Sequence, residues 1–297
     1  MKRRNFIGLT ALGAAGFSSG EPVPAGRPAD VYLLAGQSNM QGTGVIAELP
    51  ADAAKPAANA LFWTGAKFEP LIPGQTPTAG TPGRFGPEIT FAQSMAARNP
   101  ARDVLTVKFA LSGQPLHHGW DGPRWAGSPP APNRANFHPG ESAQDPNTGR
   151  HYRAMMAVLG KALADLRSRK ADFALRGIVW MQGEQDAKHP ESAVSYALNL
   201  ARLKRRIESD AGAAPVPLVF GQVLPHDPPL PRFTHRAEIR LAQAHADARS
   251  GHADAIPLAR MISTDGLPLN GDTVHYTSAG LSTLGRLFAD ACASLRP

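Results

Sequence analysis

The chain of 297 residues contains a single cysteine, Cys292, close to its C-terminus. A disulfide within the chain is therefore impossible, and a metal cluster held by several thiolates is excluded. Because Cys292 stands in an apolar helical pattern, we interpret it as a buried packing residue rather than a reactive thiol. Beyond the first twenty residues the sequence also lacks an apolar run long enough to cross a bilayer, so we expect no stable membrane insertion.

Internal repeats and a second composition regime are also absent, which favours one domain over residues 26–297. The hydrophobic fraction of 42% and the charged fraction of 19% are typical of soluble globular proteins. The formal net charge is +7, but the cations are scattered, and the run Lys204-Arg205-Arg206 fits a solvated helix face. We therefore predict no nucleic-acid partner.

Residues 1–25 have the pattern of an export signal. Lys2-Arg3-Arg4 is positively charged, and the apolar, Gly/Ala-rich stretch over 6–17 is too short for a stable membrane anchor. The order Arg-Arg-Asn-Phe-Ile at 3–7 resembles a bacterial twin-arginine signal. We expect a periplasmic or secreted protein; the alternative is an amphipathic N-terminal helix of the mature fold.

Strand-like and helix-like segments alternate along the rest of the chain. The pattern predicts strands at 30–35, 103–111, 176–182, 216–223 and 255–260, and helices at 87–98, 151–169, 190–208, 234–249 and 277–295. A weak strand is predicted at 60–63. This alternation indicates an α/β fold with a five-stranded parallel sheet, helices on both faces and right-handed crossovers.

Polar residues follow the predicted strand ends. Ser38 follows the first strand, Gly113 the second and Glu184 the third, while Asp272 and His275 lie in the loop after the last. In a parallel α/β sheet these loops share one edge, so residues far apart in sequence meet there.

Ser38 and His275 form a candidate nucleophile and base, because a serine hydroxyl needs a base to take its proton and histidine is the usual one. The base needs an acid that fixes its tautomer. Asp272, three residues before His275, and Glu184, at a neighbouring strand end, are the two candidates.

An ester hydrolase also needs donors for the oxyanion that forms on attack. The backbone N–H groups of Ser38 and Gly113 supply two, and the side chain of Gln182 or Gln185 a third. The long Pro/Gly-rich segment 112–150 is interpreted as a wall of the substrate pocket; the alternative is a flexible insertion. Four side chains are predicted to bind substrate: Gln37, Asn39, His118 and Trp120. Because adjacent histidines point apart in an extended segment, we expect no metal at His117-His118.

Three sequence blocks stand in order across most of the chain: Gly-Gln-Ser-Asn-Met at 36–40, Gln-Gly-Glu-Gln-Asp at 182–186 and Asp-Thr-Val-His at 272–275. Together they resemble the SGNH hydrolase superfamily, in particular the carbohydrate esterase group of sialate O-acetylesterases and acetyl xylan esterases. Gly-Pro-Glu at 86–88 and Lys-Phe-Ala-Leu-Ser-Gly at 108–113 resemble further stretches of that group. The resemblance implies a flavodoxin-like three-layer α/β/α fold, hydrolysis of O-acetyl esters on sugars, and no metal or organic cofactor.

The resemblance also implies roles for individual residues: Ser38 is the nucleophile and His275 the base, and Asp272 matches the acid position, with Glu184 as rival or partner. The chain departs from the group's pattern at two places. It has Ser112-Gly113 where a Gly-Gly pair is usual, and Gln185 where the superfamily usually has Asn.

Two other functions remain as alternatives: an SGNH lipase or thioesterase, and a non-catalytic glycan-binding domain on the same fold. The segment 112–150 is polar rather than apolar, which disfavours a lipid substrate, and binding alone does not need Ser38, Asp272 and His275 together. An α/β-hydrolase is disfavoured because its motif is Gly-x-Ser-x-Gly and Met40 occupies the last position.

Overall fold

The computed structural model describes residues 27–295, so the predicted export signal lies outside the described residues. The strands are β1 (Ala29–Gly36), β2 (Gly44–Val45), β3 (Ala60–Trp63), β4 (Phe68–Pro70), β5 (Arg84–Phe85), β6 (Asp103–Ala110), β7 (Trp120–Asp121), β8 (Arg124–Trp125), β9 (Phe173–Met181), β10 (Leu218–Gly221) and β11 (Ala259–Ile262). The α-helices are α1 (Ser38–Gln41), α2 (Glu88–Arg98), α3 (Arg150–Ser168), α4 (Pro190–Val194), α5 (Tyr196–Ala211), α6 (Arg236–Ala246) and α7 (Ser278–Ser294). Within residues 27–295, no helix has the length and hydropathy of a membrane span.

The central sheet has seven strands in the order β11-β10-β9-β1-β6-β3-β4. All neighbours are parallel except β3 and β4, which pair antiparallel at one edge. The prediction of five strands is therefore wrong by these two. β3 occupies the weak strand predicted at 60–63, and β4 is only three residues long, too short for an alternating pattern to be recognised.

The five main strands predicted from the sequence have the flavodoxin order. Numbered along the chain, β6, β1, β9, β10 and β11 stand as second, first, third, fourth and fifth. In this topology the crossovers change direction between the first and third strands, and the crevice that opens there at the carboxyl ends is the usual ligand site. This topology therefore predicts a ligand site at the loops after β1 and β9.

Helices cover both faces of the sheet and complete three layers. α2 and α7 pack together on one face, while α3, α5 and α6 line the other. β1 is buried on both faces, with Val31 to Ala35 fully inaccessible, which explains its continuous apolar sequence. On α3 the buried residues are Tyr152, Met155, Leu159, Ala162, Leu163 and Leu166, which follow the helical period of one core-facing stripe.

The helix predicted over 190–208 is two helices, α4 and α5, that meet at Ser195. The Ser195 hydroxyl donates to the carbonyl of Glu191 at 2.6 Å and accepts from the side chain of Asn199 at 3.2 Å. A serine that bonds to the preceding turn in this way favours a bend or break.

The segment 112–150 is more ordered than a structureless loop. It contains the hairpin β7–β8, and the Arg134 guanidinium ties it together by donating to the carbonyls of His118, Ala126 and Gly127. These bonds argue against a flexible insertion. The hairpin turn also approaches the loop after β9, where the side chain of Gln185 donates to the Pro123 carbonyl at 3.4 Å.

Candidate active site

The candidate nucleophile stands where the chain leaves the centre of the sheet. Gly36, the last residue of β1, is level with Ala110 of β6 and Met181 of β9. Its φ is +144°, and a Cβ there would lie 2.1 Å from the Met181 carbonyl oxygen, so only glycine fits. After this close approach the chain turns into α1, whose first residue is Ser38.

Ser38, His275 and Asp272 form a continuous hydrogen-bonded chain. Ser38 Oγ lies 2.9 Å from His275 Nε2, and His275 Nδ1 lies 2.5 Å from Asp272 Oδ2. With a proton on Nδ1 facing the carboxylate, Nε2 is free to accept the proton of the serine hydroxyl. The sequence separation between Ser38 and His275 is 237 residues, and the shared sheet edge brings them together.

Asp272 is held as an anion by the turn that carries it. Burial acts to raise its pKa, but hydrogen bonds from the His275 side chain and from the backbone N–H groups of His275 and Val274 outweigh it, so the pKa of Asp272 is lowered. Thr273, which follows Asp272 in this turn, adopts φ +57°, a left-handed conformation that a β-branched residue rarely takes. The Asp-x-x-His turn therefore contains local backbone strain.

Asn39 joins the His275 turn to the loop after β9. Its side-chain NH₂ donates to Glu184 Oε1 at 3.0 Å and to the Val274 carbonyl at 3.1 Å, and its Oδ1 accepts from the N–H of Tyr276 at 3.2 Å. Asn39 thus holds the residues on both sides of His275. The prediction that it binds substrate is wrong in this arrangement, because it is 1% exposed and its polar atoms face protein groups.

Glu184 does not take the acid position beside His275. One carboxylate oxygen accepts from Asn39, and the other has no hydrogen-bond partner among residues 27–295. Burial raises its pKa, against lowering effects of hydrogen bonds, including that from Asn39, and of nearby His275. Glu184 is therefore bonded to Asn39, and Asp272 makes the direct contact with His275.

The backbone N–H groups of Ser38 and Gly113 are the predicted oxyanion donors. Within residues 27–295, neither the N–H of Ser38 nor that of Gly113 donates to another backbone or side-chain acceptor. Gly113 has φ +67°, and no heavy atom lies within 4 Å of the position a Cβ would take. Both groups follow the ends of the adjacent strands β1 and β6.

Gln182 is fully engaged inside the protein. Its NH₂ donates to Asp186 Oδ2 at 2.6 Å and to the Gln114 carbonyl at 3.2 Å, and its Oε1 accepts from the Tyr196 hydroxyl at 3.1 Å. Since both amide hydrogens are used and the residue is inaccessible, the structure contradicts its prediction as an oxyanion donor.

Gln185 retains donor capacity. Lys188 Nζ donates to its Oε1 at 2.7 Å, which turns the NH₂ group away from Lys188, and one of the two amide hydrogens is directed to Pro123. Its backbone N–H donates to Oε1 of Gln37 at 3.4 Å. Gln37, predicted to bind substrate, is 3% exposed and supports the Gln185 backbone instead.

Asp186 is a residue whose role sequence reasoning missed. Its two carboxylate oxygens accept from the backbone N–H groups of Leu116 and His117 at 2.9 and 3.0 Å, just beyond Gly113. Burial raises its pKa to about 6, partly offset by these hydrogen bonds and that from Gln182. The only available signal was its place at the end of the 182–186 block.

The aromatic residues of segment 112–150 pack against one another. Trp120 is 4% exposed; its indole N–H donates to Ser192 Oγ at 3.1 Å, and its ring meets Trp125 edge to face. The ring of His118 stacks on that of His117 with centroids 4.1 Å apart. The prediction that Trp120 binds substrate is therefore wrong. The ring of Trp125 stacks with those of His117 and His189.

The His117–His118 pair belongs to this same stack. Burial lowers the pKa of His117 to about 3, with nearby imidazoles adding to the effect, and burial also lowers the pKa of His118. Both rings are therefore neutral at neutral pH. His118 has ring partners on segment 112–150, His117 and His138, and is half-buried.

Comparison of the three-dimensional structure with solved structures gives the same fold. A protein from Arabidopsis thaliana matches with 20% identity and a TM-score of 0.65, covering 90% of this chain and 98% of its own. A carbohydrate acetylesterase from Xanthomonas citri matches with 17% identity and a TM-score of 0.58, over 90% of this chain and 56% of its own. NanS matches with 15% identity and a TM-score of 0.58, over 92% and 98%.

Sequence comparison identifies the family. No curated protein matches the chain, but the profile of the family described as carbohydrate esterase, sialic acid-specific acetylesterase matches residues 28–294. This range contains all three sequence blocks and every residue of the site described above. The chain therefore belongs to the sialic acid-specific acetylesterase family of carbohydrate esterases, and is a carboxylic ester hydrolase with a three-layer α/β/α fold.

Proposed function

We propose that the protein removes O-acetyl groups from carbohydrate by a serine acyl-enzyme mechanism. Ser38 Oγ attacks the acetyl carbonyl carbon while His275 Nε2 takes its proton. The tetrahedral intermediate collapses, His275 returns the proton to the departing sugar oxygen, and acetyl-Ser38 remains. Water, deprotonated by His275, then attacks the acetyl group and releases acetate. The observation that carries the proposal is the 2.9 Å contact between Ser38 Oγ and His275 Nε2.

Asp272 is the acid of this triad. Its 2.5 Å contact with His275 Nδ1 supports that role, since a carboxylate there fixes the tautomer and stabilises the imidazolium formed during attack. Glu184 has a supporting role: it accepts a hydrogen bond from Asn39. Asn39 in turn bonds to the carbonyl of Val274 and the N–H of Tyr276, on either side of His275.

The oxyanion hole consists of the N–H groups of Ser38 and Gly113, with the side chain of Gln185 as third donor. Gln185 replaces Gln182 in this role because only its amide keeps an uncommitted hydrogen. Lys188 supports the assignment, since an ammonium group only donates and therefore keeps Oε1 of Gln185, rather than its NH₂, on its own side.

The substrate is an acetylated sugar, either sialic acid or an acetylated polysaccharide. Two cations next to the 182–186 block favour a sugar that carries a carboxylate. Lys188 Nζ and Arg232 Cζ lie 5.7 and 4.9 Å from the ring centre of Phe233, and among residues 27–295 neither forms an ion pair. Burial, and then Arg232, lowers the pKa of Lys188, while Glu184 raises it. A carboxylate ligand would relieve this repulsion between cations.

Acetate release tests the proposal. The substrates are 4-nitrophenyl acetate, acetylated xylan and O-acetylated sialic acid, each with wild type and Ser38→Ala. We expect Ser38-dependent release from all that bind, with the acidic sugar preferred. Release of long acyl chains or thioesters but not acetate would favour the lipase or thioesterase alternative, and no turnover by folded protein would favour a glycan-binding domain.

The carboxylate preference has its own control. Arg232→Gln should lower kcat/KM for O-acetylated sialic acid relative to the methyl ester of its carboxylate. Arg205→Gln, which removes the same charge from an exposed position on α5, should leave that ratio unchanged. If the ratio of kcat/KM for the acid to that for the methyl ester is the same in wild type and both variants, the proposed carboxylate preference is refuted and the esterase proposal is unaffected.

The proposed location is the periplasm or the exterior of a bacterial cell. It rests on residues 1–25, whose Arg3-Arg4 pair and short apolar stretch resemble a twin-arginine signal. Replacing both arginines by lysine should retain the protein in the cytoplasm. Unchanged export of the double variant would contradict this signal type.

A further inference from the structure

Two glutamine side chains outside the three sequence blocks bond to the main chain of Ser112: one holds the peptide group that carries the Gly113 N–H, and the other holds the peptide group before it. Oε1 of Gln41, the last residue of α1, accepts from the N–H of Ser112 at 2.9 Å. Nε2 of Gln114 donates to the carbonyl of Ser112 at 3.2 Å. Both main-chain polar groups of Ser112 are therefore bonded by side-chain amides.

The bond from Gln114 has a direct geometric consequence. The Ser112 carbonyl and the Gly113 N–H belong to one planar trans peptide group, so they point in opposite directions. Holding the carbonyl on the Gln114 side fixes the N–H toward the other side. A flip of this peptide would withdraw a donor and present a carbonyl oxygen in its place.

Such a flip is sterically easy at this position. It changes ψ of Ser112 and φ of Gly113, and glycine accepts either sign of φ. Gly113 is at φ +67° with open space where a Cβ would lie, so its own surroundings do not oppose the change. The orientation of the N–H therefore depends on the groups that bind the neighbouring atoms.

The two glutamines are themselves fixed. His151 Nε2 lies 2.8 Å from Gln114 Oε1; because that oxygen can only accept, His151 donates and Gln114 must present its NH₂ to Ser112. The backbone carbonyl of Gln41 accepts from Lys108 Nζ at 2.9 Å, and Lys108 is paired at 2.6 Å with the fully buried Glu88. Gln41 thus ties the helix that begins with Ser38 to the turn that carries Gly113.

We propose that Gln114 and Gln41 are positioning residues for the Gly113 N–H: Gln114 locks the Ser112–Gly113 peptide with that N–H directed at the oxyanion, and Gln41 fixes the Leu111–Ser112 peptide before it. This inference rests on the proposed function, in which Gly113 is an oxyanion donor. It also accounts for serine where a Gly-Gly pair is usual: a chain with this lock does not need a second glycine. Neither glutamine touches the substrate.

The test compares Gln114→Met and Gln41→Met, which keep side-chain length but lose the hydrogen bond, with wild type. Because loss of a direct oxyanion donor costs about 10²–10³ in kcat, loss of a residue that only orients the donor should cost on the order of tenfold, with KM nearly unchanged. The inhibition constant of a boronic acid, which forms a tetrahedral adduct on the serine, should rise by the same factor.

Gln93→Met is the matched control. Gln93 also donates its side-chain NH₂ to two backbone carbonyls, those of Ala53 and Lys55, but on α2 and away from Ser38. It should change the thermal midpoint without changing kcat or the boronic acid constant. If both folded variants, Gln114→Met and Gln41→Met, keep wild-type kcat and inhibition, the lock is refuted; a rise in KM alone refutes it too.

Ser38→Ala distinguishes failure of the glutamine lock from failure of the proposed esterase mechanism. Loss of hydrolysis in Ser38→Ala, together with wild-type kcat in both glutamine variants, would refute the lock and leave the esterase mechanism standing. Retained hydrolysis in Ser38→Ala would refute the proposed mechanism itself.

Discussion

Two carboxylates compete for the acid position beside His275, and their surroundings differ. Asp272 is about half exposed, contacts Nδ1 directly and has a lowered pKa. Glu184 is buried, has a raised pKa and hydrogen-bonds to Asn39 rather than to His275. The sequence could name both candidates but could not choose, because the choice depends on which side chain the turn at 272–275 directs at the imidazole.

Asp272→Asn should therefore reduce kcat far more than Glu184→Gln. An amide at 272 favours the wrong imidazole tautomer, and in a comparable triad this costs about 10⁴ in kcat. Glu184→Gln keeps an acceptor for Asn39, so we expect a loss of about tenfold or less. Steady-state kinetics with 4-nitrophenyl acetate measures both; a larger loss in Glu184→Gln would reverse the assignment.

Trp120 shows how residue type alone misleads about a role. An aromatic side chain in a long polar segment near the site is predicted to bind substrate, yet its ring is buried and its N–H donates to Ser192 Oγ. Trp120→Phe should lower the free energy of unfolding by about 1 kcal/mol through loss of that bond. KM for the acetylated sugar should stay unchanged; a raised KM with unchanged stability would restore the substrate role.

Among structural elements, the turn between β11 and α7 has the clearest strain. Its residue Thr273 is in the left-handed region, and its hydroxyl is buried without a hydrogen-bond partner among residues 27–295. Asn tolerates this conformation much better than a β-branched residue. Thr273→Asn should therefore raise the free energy of unfolding by about 1 kcal/mol, as measured by denaturant titration. A decrease would show that packing of the threonine methyl outweighs the strain.

The loop after β9 anchors the segment after β6 through Asp186. Asp186→Asn replaces an acceptor by an NH₂ group that faces N–H donors, so it should destabilise the fold by about 1–3 kcal/mol at neutral pH. The matched substitution Asp145→Asn acts in the same segment, at an exposed turn with a lowered pKa, and should cost less.

The effect of Asp186 on stability also has a definite pH dependence. A carboxyl whose folded pKa is about 6, above its unfolded value of 3.8, binds its proton more tightly in the folded state. Its contribution to stability is full below the unfolded pKa and is lost as pH rises through about 6. When pH falls from 7 to 5, the free energy of unfolding of wild type should therefore rise by about 1 kcal/mol relative to that of Asp186→Asn. A difference in free energy of unfolding that becomes smaller at lower pH would contradict the raised pKa.

At the scale of the whole molecule, the alternation of strands and helices was enough to predict a parallel sheet with two helical layers. The central strand β1 is a buried apolar run, and the helix α3 has one apolar stripe. The edge strand β4 and the hairpin β7–β8 could not be predicted, because segments of two or three residues have no readable period.

The site was predictable to the extent that its residues follow strand ends. Ser38, Gly113 and the 182–186 block leave three adjacent strands at the same level, so the topology alone gathers them. Which amide is free and which is engaged was not predictable. Gln182 and Gln185 are identical in type, and only the contacts with Asp186, Gln114 and Lys188 distinguish them.

The central claim is that Ser38 carries the acetyl group during turnover. The most direct measurement is acid quenching of the enzyme during hydrolysis of 4-nitrophenyl acetate, followed by peptide mass spectrometry, with Ser38→Ala in parallel. We predict one added acetyl group on Ser38 in the wild type, and neither the adduct nor acetate release in the folded variant. Acetate release by Ser38→Ala at the wild-type rate would contradict the account.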